Sequence, residues 1–159
     1  MKRYSLIIFF AVIAVVLILS AILFFTGENI TVIAPQEPST PSLSVNGHIV
    51  NLEIADTEQK RNEGLSNRDN LLQNSGMLFV FDTPGEYVFW MKEMKFPLDF
   101  IWLNGNKIVQ INENIPAPST GEPPAVIRPD YPVDKVLEVN AGFIKSAAVK
   151  IGDEVKINL

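Results

Sequence analysis

Residues 6–25 read LIIFFAVIAVVLILSAILFF, an apolar run with Ser20 as its single polar residue. As a helix rising about 1.5 Å per residue, that run covers roughly 30 Å, the thickness of a bilayer's hydrocarbon layer. A cleaved signal peptide usually has a shorter apolar region, about 7–15 residues, ending at a small-x-small site. Here Phe24, Phe25, Thr26 and Gly27 follow instead, so residues 1–27 read as an uncleaved transmembrane anchor. Lys2 and Arg3 precede the run and Glu28 follows it. The bias of positive residues toward the cytoplasm then predicts a single-pass membrane protein with its N-terminus inside and its C-terminal domain extracytoplasmic.

The anchor separates two compositions. Residues 28–43, ENITVIAPQEPSTPSL, carry Pro35, Pro38 and Pro41 among polar residues and read as a semi-extended tether. Residues 44–159 remain for one folded domain, long enough to bury one core. All 18 acidic residues lie after Gly27, and Lys2 and Arg3 take two of the 13 basic ones, so the part beyond the anchor carries −7. An acidic domain without a basic cluster is a poor partner for phosphate backbones, which argues against nucleic acid. The chain has no cysteine, which removes disulfides, thiolate nucleophiles and thiolate metal sites.

Along the domain the signals are those of short strands. Asn46-Gly47 is a hairpin turn, after which Val50, Leu52 and Ile54 alternate with polar residues. Asp56 or Thr57 can cap a short helix through Glu63, with Gly64 ending it in a left-handed conformation. Residues 77–81, MLFVF, are apolar on both alternating faces, as a strand covered on both sides must be. Asp82-Thr83-Pro84-Gly85 then reads as a turn. In the next extended run, 87–92, Val88, Trp90 and Lys92 share one face and Tyr87, Phe89 and Met91 the other. A strand over 98–103 leads through an Asn104-Gly105 turn into a second hairpin partner over 107–111. Six prolines in 112–134 predict a long loop without a regular element. Strands follow over 135–140 and at the C-terminus, where Val155, Ile157 and Leu159 alternate. Such spacing predicts a mainly β, compact antiparallel sandwich or barrel with one or two short helices, with Phe79, Phe81, Phe89, Phe100 and Ile101 in its core.

The strings ADTEQKRNEGLSNR at 55–68, GMLFVF at 76–81, FWMKEMKFPLDFIWL at 89–103, VLEVNAG at 136–142 and IGDEV at 151–155 resemble the family known as domain of unknown function 192. The WMK-x-M-x-PLD string is the most specific part. Ser66 stands where the family usually has methionine. The resemblance implies a compact, mainly antiparallel β fold with one or two short helices, and it implies no reaction.

The usual catalytic constellations are missing. The one histidine, His48, follows a hairpin turn, where a Ser-His-Asp arrangement is not expected. One histidine without cysteine makes no zinc site. Asp130, Asp134 and Asp153 lack a calcium-loop pattern, and Met77, Met91 and Met94 fit core filling better than a copper site. No metal and no cofactor is expected. What remains is a polar set within the motif strings: Arg61, Arg68, Trp90, Lys92, Asp99 and Glu138. Lys92 and Asp99 lie beside apolar surface and need partners, and Arg61 and Arg68 from the helical segment and Glu138 from a later strand could converge on them. One reading has these charges pair among themselves and lock the helix onto the sheet. The other is a cleft with Trp90 as a stacking floor, suited to a sugar or small anion. A small-ligand or envelope-binding module is the function this favours. The alternative is a hydrolase or lyase using Asp99 or Glu138 as general acid or base.

Overall fold

A computed structural model describes residues 40–159; the predicted anchor at 1–27 and nearly all of the tether lie outside the described residues. Among those described, no helix is long and apolar enough to cross a membrane.

Strands β1 (Ser42–Val45) and β2 (His48–Ala55) form the expected hairpin, with Val45 opposite His48. Asn46 and Gly47 both have positive φ, the geometry of the two-residue turn that matches strand twist. The short helix α1 (Glu58–Glu63) carries the chain across to β3 (Ser75–Gly85). This strand pairs parallel with β2, from Asn51 opposite Ser75 to Ala55 opposite Phe79. The sheet is therefore mainly but not wholly antiparallel, because a helical crossover returns the chain in the same direction. β3 also runs through the segment expected to turn at 82–85, with a register shift between Val80 and Gly85 that bends the strand without ending it.

After β4 (Phe89–Trp90), β5 (Leu98–Asn104) and β6 (Lys107–Ile115) make the second hairpin. Asn104 pairs with Lys107, so the turn residues are Gly105 and Asn106, one place later than the sequence signal. The proline-rich segment is shorter than expected: β6 extends to Ile115, and β7 (Val126–Ile127) pairs with β4 in a small separate sheet. The prolines flank these strands, where no ladder hydrogen bond is lost. β8 (Val133–Asn140), the short helix α2 (Phe143–Ser146) and β9 (Lys156–Asn158) complete the chain. The large sheet has the order β6-β5-β8-β3-β2-β1-β9. It curls like a half-barrel. The segment entering β9 meets the start of β6, where Lys107 bridges Glu154 and the Val155 N–H donates to Asn106 O at 2.9 Å.

A curled sheet has two apolar faces, and each builds its own core. Leu43, Val50, Leu78, Ile101, Leu103, Leu137 and Val139 fill the inside of the curl beneath Ile144 of α2. Phe79, Phe100, Trp102, Val136, Met77 and Met91 form the second core on the other face. The alternation is strict along β5, where Leu98, Phe100 and Trp102 point one way and Ile101 and Leu103 the other. Phe79, Phe100 and Ile101 are buried as expected, while Phe81 and Phe89 are half-buried at the rim of the second core.

Candidate functional site

The second core is open at one end. There α1, the outer end of β3, residues 87–90 and Met94 surround a pocket of about 390 Å³. Its first wall follows from helix capping. Thr57 Oγ1 accepts from the Lys60 N–H at 3.3 Å, and Gly64 ends the helix at φ 52°, ψ −139°. That region is open essentially to glycine alone and is not the left-handed helical conformation that the sequence predicts. So positioned, Arg61 reaches the sheet. Its guanidinium donates to Val80 O at 2.8 Å and lies 5.1 Å from the Phe81 ring centroid, with Tyr87 stacked on that ring.

The second wall is the 87–94 segment, whose alternation is as the sequence predicts: Met91 is buried, and Val88 and Trp90 are exposed. The two walls are fastened together. Ser66 Oγ donates to Lys92 O at 3.0 Å, the Asn67 N–H donates to Glu93 O at 2.9 Å, and Lys95 pairs with Asp69 at 2.6 Å. The serine that departs from the family's methionine thus makes one of these ties.

Glu138 forms the floor. On β8 it stands between Met77 of β3 and Phe100 of β5, and it is only 5% exposed. Gly76 lets β3 approach this strand: a Cβ there would lie 2.8 Å from Glu138 O and 2.9 Å from Val139 Cγ1. The Glu138 carboxyl makes no hydrogen bond among the described residues, yet none of their sealed side-chain oxygens lacks a partner. Its oxygens must therefore open onto the pocket that it lines. Burial pushes the carboxyl up to about 8, so it holds its proton at neutral pH.

Of the six residues singled out in the sequence, Arg61, Trp90 and Glu138 line this pocket. The other three are placed elsewhere. Arg68 makes a two-pronged pair with Glu53, at 2.6 and 2.8 Å, that lowers the Glu53 carboxyl below its ordinary range. Lys92 is exposed, 3.9 Å from Glu93 and 5.7 Å from the Trp90 centroid. Asp99 faces the opposite core, where its carboxylate accepts from the Ile144 N–H at 2.9 Å and the Asn114 N–H at 2.7 Å. Asp99 thereby caps α2, a local use that spacing along the sequence does not disclose. Sequence reasoning passed over Phe79, Phe81 and Phe89 as pocket residues because they read as core, and Tyr87 was placed only on a strand face.

A chain from Sinorhizobium meliloti, provisionally described as a transcription regulator, has a similar crystal structure, with TM-score 0.65 and 32% identity over 74% of this chain and 91% of that one. A protein of unknown function from Novosphingobium aromaticivorans is similar at TM-score 0.64 and 28% identity, over 73% of this chain and 82% of its own. No curated protein matches the sequence. The model of domain of unknown function 192, described as an uncharacterized ACR, matches residues 41–157. With that match spanning every strand from β1 to the middle of β9, the chain belongs to this family.

Proposed function

We propose that the domain is a small-ligand-binding module whose site is the pocket between α1 and the 87–94 segment, held at the outer face of a membrane by residues 6–25. The observation that carries the reading is the Glu138 carboxyl, buried, without a hydrogen-bond partner among the described residues and facing an aromatic-lined hollow. Buried polar groups are paired as a rule, and one that opens onto a cavity is met there by water or by a ligand that displaces it. Trp90, 59% exposed at the pocket edge, offers a stacking surface of the kind that sugars use. A small anion would depend on Arg61, whose guanidinium is already engaged with Val80 O. A hydrolase or lyase would use Glu138 as a proton donor, but Asp99, the other buried carboxyl, is on the far side of the sheet and cannot act with it.

The test is calorimetric titration of the full-length chain in detergent with a panel of envelope saccharides and small anions. A bound ligand should lose its affinity in Glu138→Gln and in Trp90→Ala. Undiminished binding in both variants would move the site elsewhere. For the anchor, a mature N-terminus near residue 28 would overturn the uncleaved topology.

A further inference from the structure

The pocket's charges point to a particular class of ligand. Besides Glu138 on its floor, Glu58 and Glu63 of α1 line it, against Arg61 as its one lining cation among the described residues. Arg61 is held at the wall, with one guanidinium nitrogen donating to Val80 O and its plane near the Phe81 ring. The Tyr87 hydroxyl, the remaining titratable group on that wall, donates to Thr83 O at 2.6 Å. An anion entering here would meet Glu58 and Glu63 at the rim and the neutral Glu138 carboxyl at the base, with Arg61 as the one lining cation among the described residues. A cation would meet an unsatisfied acceptor at the base, acidic groups at the rim and rings along the sides. The same walls already carry cations on their rings, with Arg61 over Phe81 and Lys92 over Trp90.

We infer that the pocket takes a small ligand bearing a primary ammonium on an apolar or ring-shaped body, the ammonium donating to Glu138 and the body lying against Phe79, Phe89 and Trp90. This deepens the binding reading and rests on it. A primary ammonium fits better than a quaternary one because Glu138 lacks a donor, and only an N–H supplies that. Pairing with a cation favours the ionised carboxyl, so binding below about pH 8 displaces the Glu138 proton to solvent.

A matched series separates charge from shape. Benzylammonium, benzyl alcohol and benzoate carry the same ring with a positive, neutral or negative head. The full-length chain should bind benzylammonium about tenfold or more tighter than benzyl alcohol, and benzoate weakest. Between pH 6 and 7.5 the ammonium affinity should climb toward about tenfold per pH unit, with up to one proton released per ligand, as read from enthalpies in buffers of different ionisation heat. Glu138→Gln, checked for folding by its thermal melt, should erase that pH dependence. Glucosamine against glucose then asks whether a sugar carries the ammonium. Benzyl alcohol or benzoate binding as tightly as benzylammonium would sink the ammonium assignment and leave the pocket as a site. Failure of all these compounds and of every saccharide and anion in the panel would sink the binding reading itself.

Discussion

Asp99 and Glu138 lie on adjacent strands, with Phe100 opposite Glu138 and Asp99 opposite Val139. Both are buried, at 0% and 5% exposure, and the one-residue offset sends them to opposite faces of the sheet. Inside the curl Asp99 takes two backbone N–H groups and anchors α2 and the end of β6. On the other face Glu138 has an opening in front of it and no donor among the described residues. Two donors make Asp99 part of the architecture, whereas Glu138, with none, is the group on which the proposed binding site rests. The difference lies in what the surrounding backbone offers, since the residue types are nearly the same.

Substitutions can break this contrast. The largest effect belongs to Asp99→Ala, which strands the buried Ile144 N–H and the part-buried Asn114 N–H and should cost roughly 2–4 kcal/mol in urea unfolding. A loss under about 1 kcal/mol would mean that water replaces the carboxylate and that Asp99 is not structural.

Glu138→Gln should act in the reverse sense and only above a certain pH. Folded, Glu138 keeps its proton to about pH 8; unfolded, it ionises in the ordinary carboxylate range. Between those limits the folded chain binds more protons, so its contribution is full in acid and is lost as pH rises through about 8. The glutamine variant should match the wild type near pH 4 and exceed it at pH 8.5 by on the order of 3 kcal/mol. Parallel stability curves for the two proteins would show that Glu138 is not shifted.

Much of this was legible beforehand, and the part that was not has a physical cause. The alternation at 87–91, the Asn46-Gly47 hairpin and the capped helix depend on neighbours in sequence, and each formed. The parallel pairing of β2 with β3 was not legible, because nothing in MLFVF distinguishes a parallel partner from an antiparallel one. The division of Asp99 from Glu138 was hidden for a related reason: facing depends on register between strands separated by about 30 residues of intervening chain. A structural use for some of the six was foreseen, but as pairing among themselves; that Arg68 would instead pair with Glu53 and Asp99 with two backbone N–H groups, leaving Arg61, Trp90 and Glu138 at the pocket, was not legible.

Smaller effects sharpen the picture of the floor and the rim. Gly76→Ala forces a Cβ against the Glu138 strand and should destabilise by roughly 1–3 kcal/mol, with a weaker loss showing that β8 can retreat. Arg68→Ala removes an ion pair whose side chains are 34% and 51% exposed, so the melt should shift by less than about 1 kcal/mol and less still in high salt. A larger loss there would give Arg68 a part in the pocket that its position does not show.

The ties from Ser66, Asn67 and Asp69 to residues 92–95 fix the distance between the pocket's walls before anything enters. If the pocket binds as proposed, walls fixed in this way leave little freedom among the described residues for a ligand to freeze, so association should vary little among compounds that fit. Discrimination among ligands would appear in how long each one stays, and stopped-flow traces should show arrival rates that barely change across a ligand series while departure rates spread widely.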